Sequence, residues 1–149
     1  MLSSKAKYGL KAMVHLALRE GQGPVLIAEV AEAERIPKKF LDTILLDLKN
    51  HGLLLSKKGK GGGYTMARPA ARIMVGEIVR ILDGPLAPVP CVSRSAYRRC
   101  DDCLDEAACA VRGVMQDVRD AISAILDNTS LAEMSRRRGR VEPVLMYDI

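Results

Sequence analysis

No run of apolar residues in this 149-residue chain approaches the roughly eighteen that a membrane-spanning helix needs. The opening Met-Leu-Ser-Ser-Lys lacks the charged-then-apolar order of a secretory leader. A cytoplasmic protein without membrane association is therefore expected. Cysteine is scarce and oddly placed: Cys91, Cys100, Cys103 and Cys109 share one short stretch. A secreted disulfide framework spreads its cysteines through the fold, so this clustering points to metal or thiol-redox chemistry in a reducing compartment. The glycine-rich run at residues 59–63 has no Gly-Lys-Ser/Thr ending and no strand–loop–helix order, which counts against a nucleotide-binding loop. No thioredoxin-like pattern surrounds Cys100-Asp101-Asp102-Cys103, which counts against the enzymatic alternative, a dithiol oxidoreductase.

What the chain does have is a basic N-terminal half. Its net charge is +5, and residues 1–72 hold 13 Lys/Arg against 6 Asp/Glu, whereas residues 73–149 hold 10 against 12. Clustered cations gain free energy by releasing counterions from phosphates, so a polyanion, with nucleic acid foremost, is the expected partner of that half. With 48% apolar residues, the length suffices for one packed domain and an appended element.

Apolar residues recur at helical spacing from Ser3 to Arg19, with Ser3 or Ser4 as N-cap and Gly21 and Gly23 beyond the end. A second, short helix covers Leu26 to Glu34. Pro37 then opens a third, in which Phe40, Leu41, Ile44, Leu45 and Leu48 recur until Gly52. Two short helices joined by a turn of about three or four residues match a helix-turn-helix, whose second helix enters the DNA major groove. Leu53–Ser56 and Tyr64–Ala67 read as strands flanking the basic, glycine-rich turn that carries Lys57, Lys58 and Lys60. Such a hairpin is the wing of a winged helix, suited to a phosphate backbone or minor groove. A fourth helix runs from Ile73 to Leu82 before Asp83-Gly84-Pro85.

Beyond the cysteines, Val111, Val114, Val118, Ile122 and Ile125 recur every three or four residues. With the domain core already accounted for, this stripe is expected to pair with a second copy of the chain, packing back on its own chain being the alternative. The predicted fold is mainly α, a winged helix-turn-helix with a small β-hairpin wing plus a long C-terminal dimerisation helix. Its divisions are residues 1–84 for the DNA-binding domain, 85–109 for the cysteine-rich sensor loop, 110–134 for the dimerisation helix and 135–149 for a solvated, flexible tail that includes Arg136-Arg137-Arg138-Gly139-Arg140.

Several motifs in combination identify a family. They are Ser3, Lys5 and Tyr8 in the opening; Ile36-Pro37-Lys38-Lys39-Phe40-Leu41; Leu48 to Gly52; the wing Lys58-Gly59-Lys60-Gly61-Gly62-Gly63-Tyr64 followed by Ala67-Arg68; Val75-Gly76-Glu77-Ile78; and Thr129-Ser130-Leu131-Ala132. Across about residues 1–134 the chain resembles the IscR-like family of winged-helix transcriptional regulators. The resemblance implies a homodimer on a palindromic DNA operator, with recognition helices in adjacent major grooves and wings in the flanking minor grooves. By position, Lys39, Asp42 and Thr43 should face base edges and Lys58 should enter the minor groove, while Lys5, Tyr8, Lys38 and Lys60 should touch phosphates. Asp42 suits a cytosine amino group and Thr43 a thymine methyl.

The same resemblance implies an iron–sulfur cluster, 2Fe-2S or 4Fe-4S, with Cys91, Cys103 and Cys109 matching the three family cysteines. The five residues between Cys103 and Cys109 agree with the family spacing. The eleven between Cys91 and Cys103 make a longer loop, Cys100 is extra, and Arg112 stands where some members carry a histidine ligand. Cys100 is then the candidate fourth thiolate, with His15 across a dimer as another. Four thiolates equally suit tetrahedral zinc, and a thiol–disulfide switch without a cofactor needs just two. Control by a partner protein instead of a metal belongs to members lacking the cysteines.

Overall fold

The computed structural model describes residues 2–139. Helix α1 (Ser4–Leu18) starts where the Ser3 hydroxyl accepts a hydrogen bond from the Ala6 amide at 3.0 Å, satisfying one of the orphan donors of the first turn. Helix α2 (Ile27–Glu34) ends at Arg35 in the left-handed conformation, φ 53°, and α3 (Lys38–Asn50) begins after Pro37. Pro37 is the residue just before the helix, one place earlier than its predicted seat within it. Three residues thus turn the chain between α2 and α3, as a helix-turn-helix requires.

Strands β1 (Leu54–Lys57) and β2 (Gly63–Met66) form an antiparallel hairpin in which Leu54 faces Met66 and Lys57 faces Gly63. An isolated bridge between Val25 and Tyr64 ties the hairpin back to the residue before α2. A short 3₁₀ turn at Ala70–Arg72 leads into α4 (Val75–Asp83). Arg68 clamps Glu77 of α4 through both guanidinium nitrogens at 2.8 and 2.9 Å and also donates to the Arg72 carbonyl, so the base of the wing is braced against α4. The core fills the space between α1, α3 and α4 with Met13, Leu16, Leu41, Ile44, Leu45, Leu48, Ile73 and Ile78, all essentially inaccessible to water.

The predicted dimerisation helix over 110–134 is two helices. Helix α5 spans Ala110–Leu126 and α6 spans Leu131–Arg136. The break is made locally: Asn128 and Thr129 donate from their side chains to the Ala124 and Ile125 carbonyls, closing α5, while the Ser130 hydroxyl caps α6 at the Glu133 amide. The chain then returns to the DNA-binding domain. Leu131 is fully buried in its core, its amide donates to the Ile73 carbonyl at 2.7 Å, and α6 packs on α1.

Part of the predicted tail belongs to this folded body for the same reason. Ser135 is buried, with its hydroxyl on the Leu131 carbonyl, and Arg138 reaches Glu34 of α2 at 2.6 Å, so the segment through Arg138 packs where solvation and flexibility were expected. Arg140 and the rest of that tail lie outside the described residues.

Candidate nucleic-acid interface and cysteine loop

Helix α3 turns Leu41, Ile44, Leu45 and Leu48 inward, and Lys38, Lys39, Asp42 and Thr43 outward at its N-terminal end. Lys38 and Asp42 lie 3.9 Å apart across one helical turn, an exposed pair too loose to hold either side chain back from a ligand. Lys58 and Lys60 are exposed on the wing turn. Asp42 lies near enough to Tyr64 of β2 that its charge, together with burial as the larger cause, pushes the tyrosine hydroxyl's pKa up. Recognition helix and wing are thereby neighbours on one basic surface.

Two of the predicted phosphate contacts are otherwise engaged. Lys5 donates to Asp47 of α3 at 2.7 Å, and Tyr8 is half-buried against the core.

The cysteines occupy an irregular stretch between α4 and α5. Cys91 is buried in a 3₁₀ turn at Pro90–Val92, whereas Cys100, Cys103 and Cys109 are half-exposed. The Cys100 thiol hydrogen-bonds with Cys91, and this bond, partial desolvation and the charges of Cys91, Asp102 and Cys103 push its pKa up. Cys109 is the N-cap of α5, its sulfur accepting from the Arg112 amide at 3.4 Å. Beside it, the Arg112 Nε atom is buried without a partner among the described residues. No group of three or more His, Cys, Asp or Glu is arranged about one point among those residues, so the four thiols are neighbours in sequence that the fold does not gather into a single shell.

The loop is joined to α5 at a definite point. Arg119 of α5, its side chain little exposed, donates to the Val92 carbonyl at 2.7 Å and pairs with Asp120 at 2.6 Å, and Arg94 approaches the same carboxylate. At the other end of α5, Arg80 of α4 forms a two-pronged pair with Asp127 at 2.6 and 2.9 Å. That pair holds the Asp127 carboxyl below its ordinary range. Between these ties α5 has no fully buried residue. Val111, Val114 and Ile125 are well over half exposed, and Val118 and Ile122 border an apolar cavity of about 820 Å³ lined also by Leu10, Val79 and Leu86.

Residues 2–137 match the family described as Rrf2, iron-dependent transcriptional regulator. The chain belongs to the Rrf2 family. It is 42% identical over 137 residues to an rrf2-like HTH-type transcriptional regulator of Rhodobacter capsulatus, covering 90% of this chain and 91% of that one. Its fold matches the structure of CymR, the global cysteine regulator of B. subtilis, with TM-score 0.76 and 30% identity over 91% of this chain and 96% of that one. It also matches T. potens IscR, with TM-score 0.72 and 29% identity over 91% and 86%. The chain is accordingly a winged-helix, DNA-binding transcriptional regulator and not a dithiol oxidoreductase.

Within this Rrf2 scaffold two placements depart from the sequence reading. Phe40, counted among the recurring apolar positions of α3, projects outward and is 60% exposed. Helical geometry explains it: Phe40 stands about 100° round the helix from Leu41, outside the arc that Leu41, Leu45 and Leu48 occupy and towards the side that carries Thr43. His15, the alternative cluster ligand, is tied within its own chain at 3.1 Å from Glu34. Burial pushes the Glu34 carboxyl up in pKa, but hydrogen bonds from Arg138 and His15 outweigh it and hold the group below its ordinary value.

Proposed function

We propose that this Rrf2-family protein is a cytoplasmic, homodimeric repressor of palindromic operators whose DNA affinity follows the state of its cysteine loop, an iron–sulfur cluster being the favoured occupant. The observation that carries this reading is the wiring of the molecule: the buried turn holding Cys91 is bonded through Val92 to Arg119 on α5, the helix whose apolar stripe is left uncovered. A change in loop packing is therefore transmitted to α5. In a dimer built on α5, the spacing of the two recognition helices follows from that helix, and operator fit follows from the spacing.

The donor set suits a cluster. All four candidate ligands are sulfur, and the buried, unpartnered Arg112 Nε beside Cys109 supplies a cationic donor of the kind that stabilises an anionic thiolate-bound centre. Cys91, Cys100, Cys103 and Cys109 would hold it, and when bound it would supply one-electron and oxygen- or nitric-oxide-reactive chemistry. The family description, iron-dependent, points the same way. Because these thiols are not gathered around one point, residues 93–109 must draw in for all four to bind. The raised pKa of Cys100 means that its proton must be displaced as it becomes a ligand.

The hydrogen bond between Cys91 and Cys100 favours one second reading, a thiol–disulfide switch at that pair. Protein purified without oxygen separates the possibilities through its visible spectrum and its iron, sulfide and zinc content. Bound iron and sulfide with a brown colour, lost together with a change in operator affinity on exposure to oxygen, are expected. About one zinc per chain would recast the loop as structural, and colourless metal-free protein that responds to a peroxide would favour the disulfide.

The DNA-facing residues carry their own prediction. Lys39→Ala and Lys58→Ala should each weaken operator binding, and the Lys58 change should flatten the dependence of log affinity on log salt by roughly 0.9, the release expected from one phosphate contact. Titration at several salt concentrations checks this, and unchanged affinity in both variants would overturn the docking.

A further inference from the structure

We propose that Phe40 is a specificity-determining residue that reads a thymine C5-methyl group in each operator half-site. The inference rests on the DNA-binding reading of α3 and deepens it.

Phe40 is the chain's one phenylalanine, and it stands 60% exposed as the third residue of α3. An aromatic ring left in water is uncompensated hydrophobic surface, and nothing in the fold requires it there, since Leu41, Ile44, Leu45 and Leu48 already complete the inward face. Its surroundings specify what can cover it. Lys39 precedes it and Thr43 follows at i+3, so a cation, a phenyl ring and a methyl-bearing hydroxyl share the leading surface of the recognition helix. The N-terminal residues of such a helix are the ones that meet base edges.

The ring has no hydrogen-bond donor and cannot serve as a phosphate contact. The apolar feature that a base pair presents in the major groove is the thymine C5-methyl. Guanine, adenine and cytosine offer polar atoms at the corresponding edge, and placing the ring against them would desolvate those atoms without replacing their hydrogen bonds. Phe40 thus discriminates by apolar contact beside Asp42, which discriminates by hydrogen bonding.

The experiment begins by selecting operators from a random DNA pool with the wild-type protein. Each thymine of the selected site is then replaced in turn by deoxyuridine, which removes the methyl alone, and affinities are measured for wild type, Phe40→Leu and Phe40→Ala. Circular dichroism and thermal melts establish that the variants are folded, as expected for an exposed position.

At one symmetric pair of thymines the wild type should lose about fourfold per methyl, hence roughly fifteenfold per palindrome. Phe40→Ala should bind the thymine operator weakly and show no further loss with deoxyuridine, and Phe40→Leu should retain part of the discrimination. A methyl effect that persists undiminished in Phe40→Ala would assign it to Thr43 and overturn the proposal. Uniform weakening without methyl dependence would place the ring on the sugar backbone and also overturn it. If the wild type enriches no sequence, the DNA-binding reading itself fails, a result distinct from either of these.

Discussion

Replacing Val118 and Ile122 together by aspartate is expected to leave a folded monomer that has lost at least about a hundredfold in operator affinity. Both side chains lie on α5, which fully buries no residue within its own chain, and both line the apolar cavity between α5 and the α1–α4 face. A second copy covering this stripe would bury each of them twice in a symmetric pair. At roughly 1.5–3 kcal/mol for each fully buried aliphatic side chain, that contribution is comparable to a whole moderate dimer affinity. Aspartate removes it and adds carboxylates that resist desolvation.

The effect on DNA follows because linked half-sites gain about 10²–10⁴ in avidity over single ones. The fold should survive, since the core residues of α1, α3 and α4 are untouched. Sedimentation gives the mass and a titration gives the affinity. Wild-type protein that is already monomeric at micromolar concentration and still binds a palindrome tightly would overturn the dimer, as would a double variant that keeps its mass.

The elements of the DNA-binding domain were legible because local signals agreed. The 3.6-residue apolar period, Ser3 as a cap and the basic glycine-rich turn place α1, α3 and the hairpin within a residue or two of where they fold. The α5 stripe was legible for the same reason. What escaped was whatever depends on partners distant in sequence. Lys5 finds Asp47, Arg138 finds Glu34, and Leu131 finds the core beside Ile73, and no periodicity encodes such meetings. The end of α5 rests on side-chain caps at Asn128, Thr129 and Ser130, in residues that occur equally in unbroken helices. Phe40 was misplaced because periodicity marks apolar residues without telling a core position from one that faces a ligand. The cysteine loop is the limiting case. Spacing names Cys91, Cys100, Cys103 and Cys109, but whether they meet depends on an irregular backbone with few cross-links, fixed chiefly at Val92 and Cys109.

Gly63→Ala should cost about 3 kcal/mol or more and lower the melting temperature by roughly 10 °C, whereas Gly61→Ala, two residues away in the same wing, should cost about 1 kcal/mol. Both glycines have positive φ, 145° and 74°, so both substitutions strain the backbone. The difference lies in what an added carbon meets. At Gly61 it meets open space, but at Gly63 it falls 2.3 Å from the Val25 carbonyl oxygen and 2.5 Å from its carbon. These atoms are main chain and cannot swing aside as a side-chain tip would. They also belong to the bridge in which Val25 and Tyr64 exchange two hydrogen bonds at 2.9 Å, so relieving the clash parts the hairpin from the segment leading into α2 and leaves donors and acceptors unpaired. The wing then loses its position relative to α3, and operator affinity should fall even at temperatures where the variant is folded. Thermal melts of the two alanine variants, with DNA titrations about 20 °C below each midpoint where both remain folded, test this pair of expectations; equal destabilisation would show that φ strain alone governs the turn and that the Val25 anchor contributes nothing measurable.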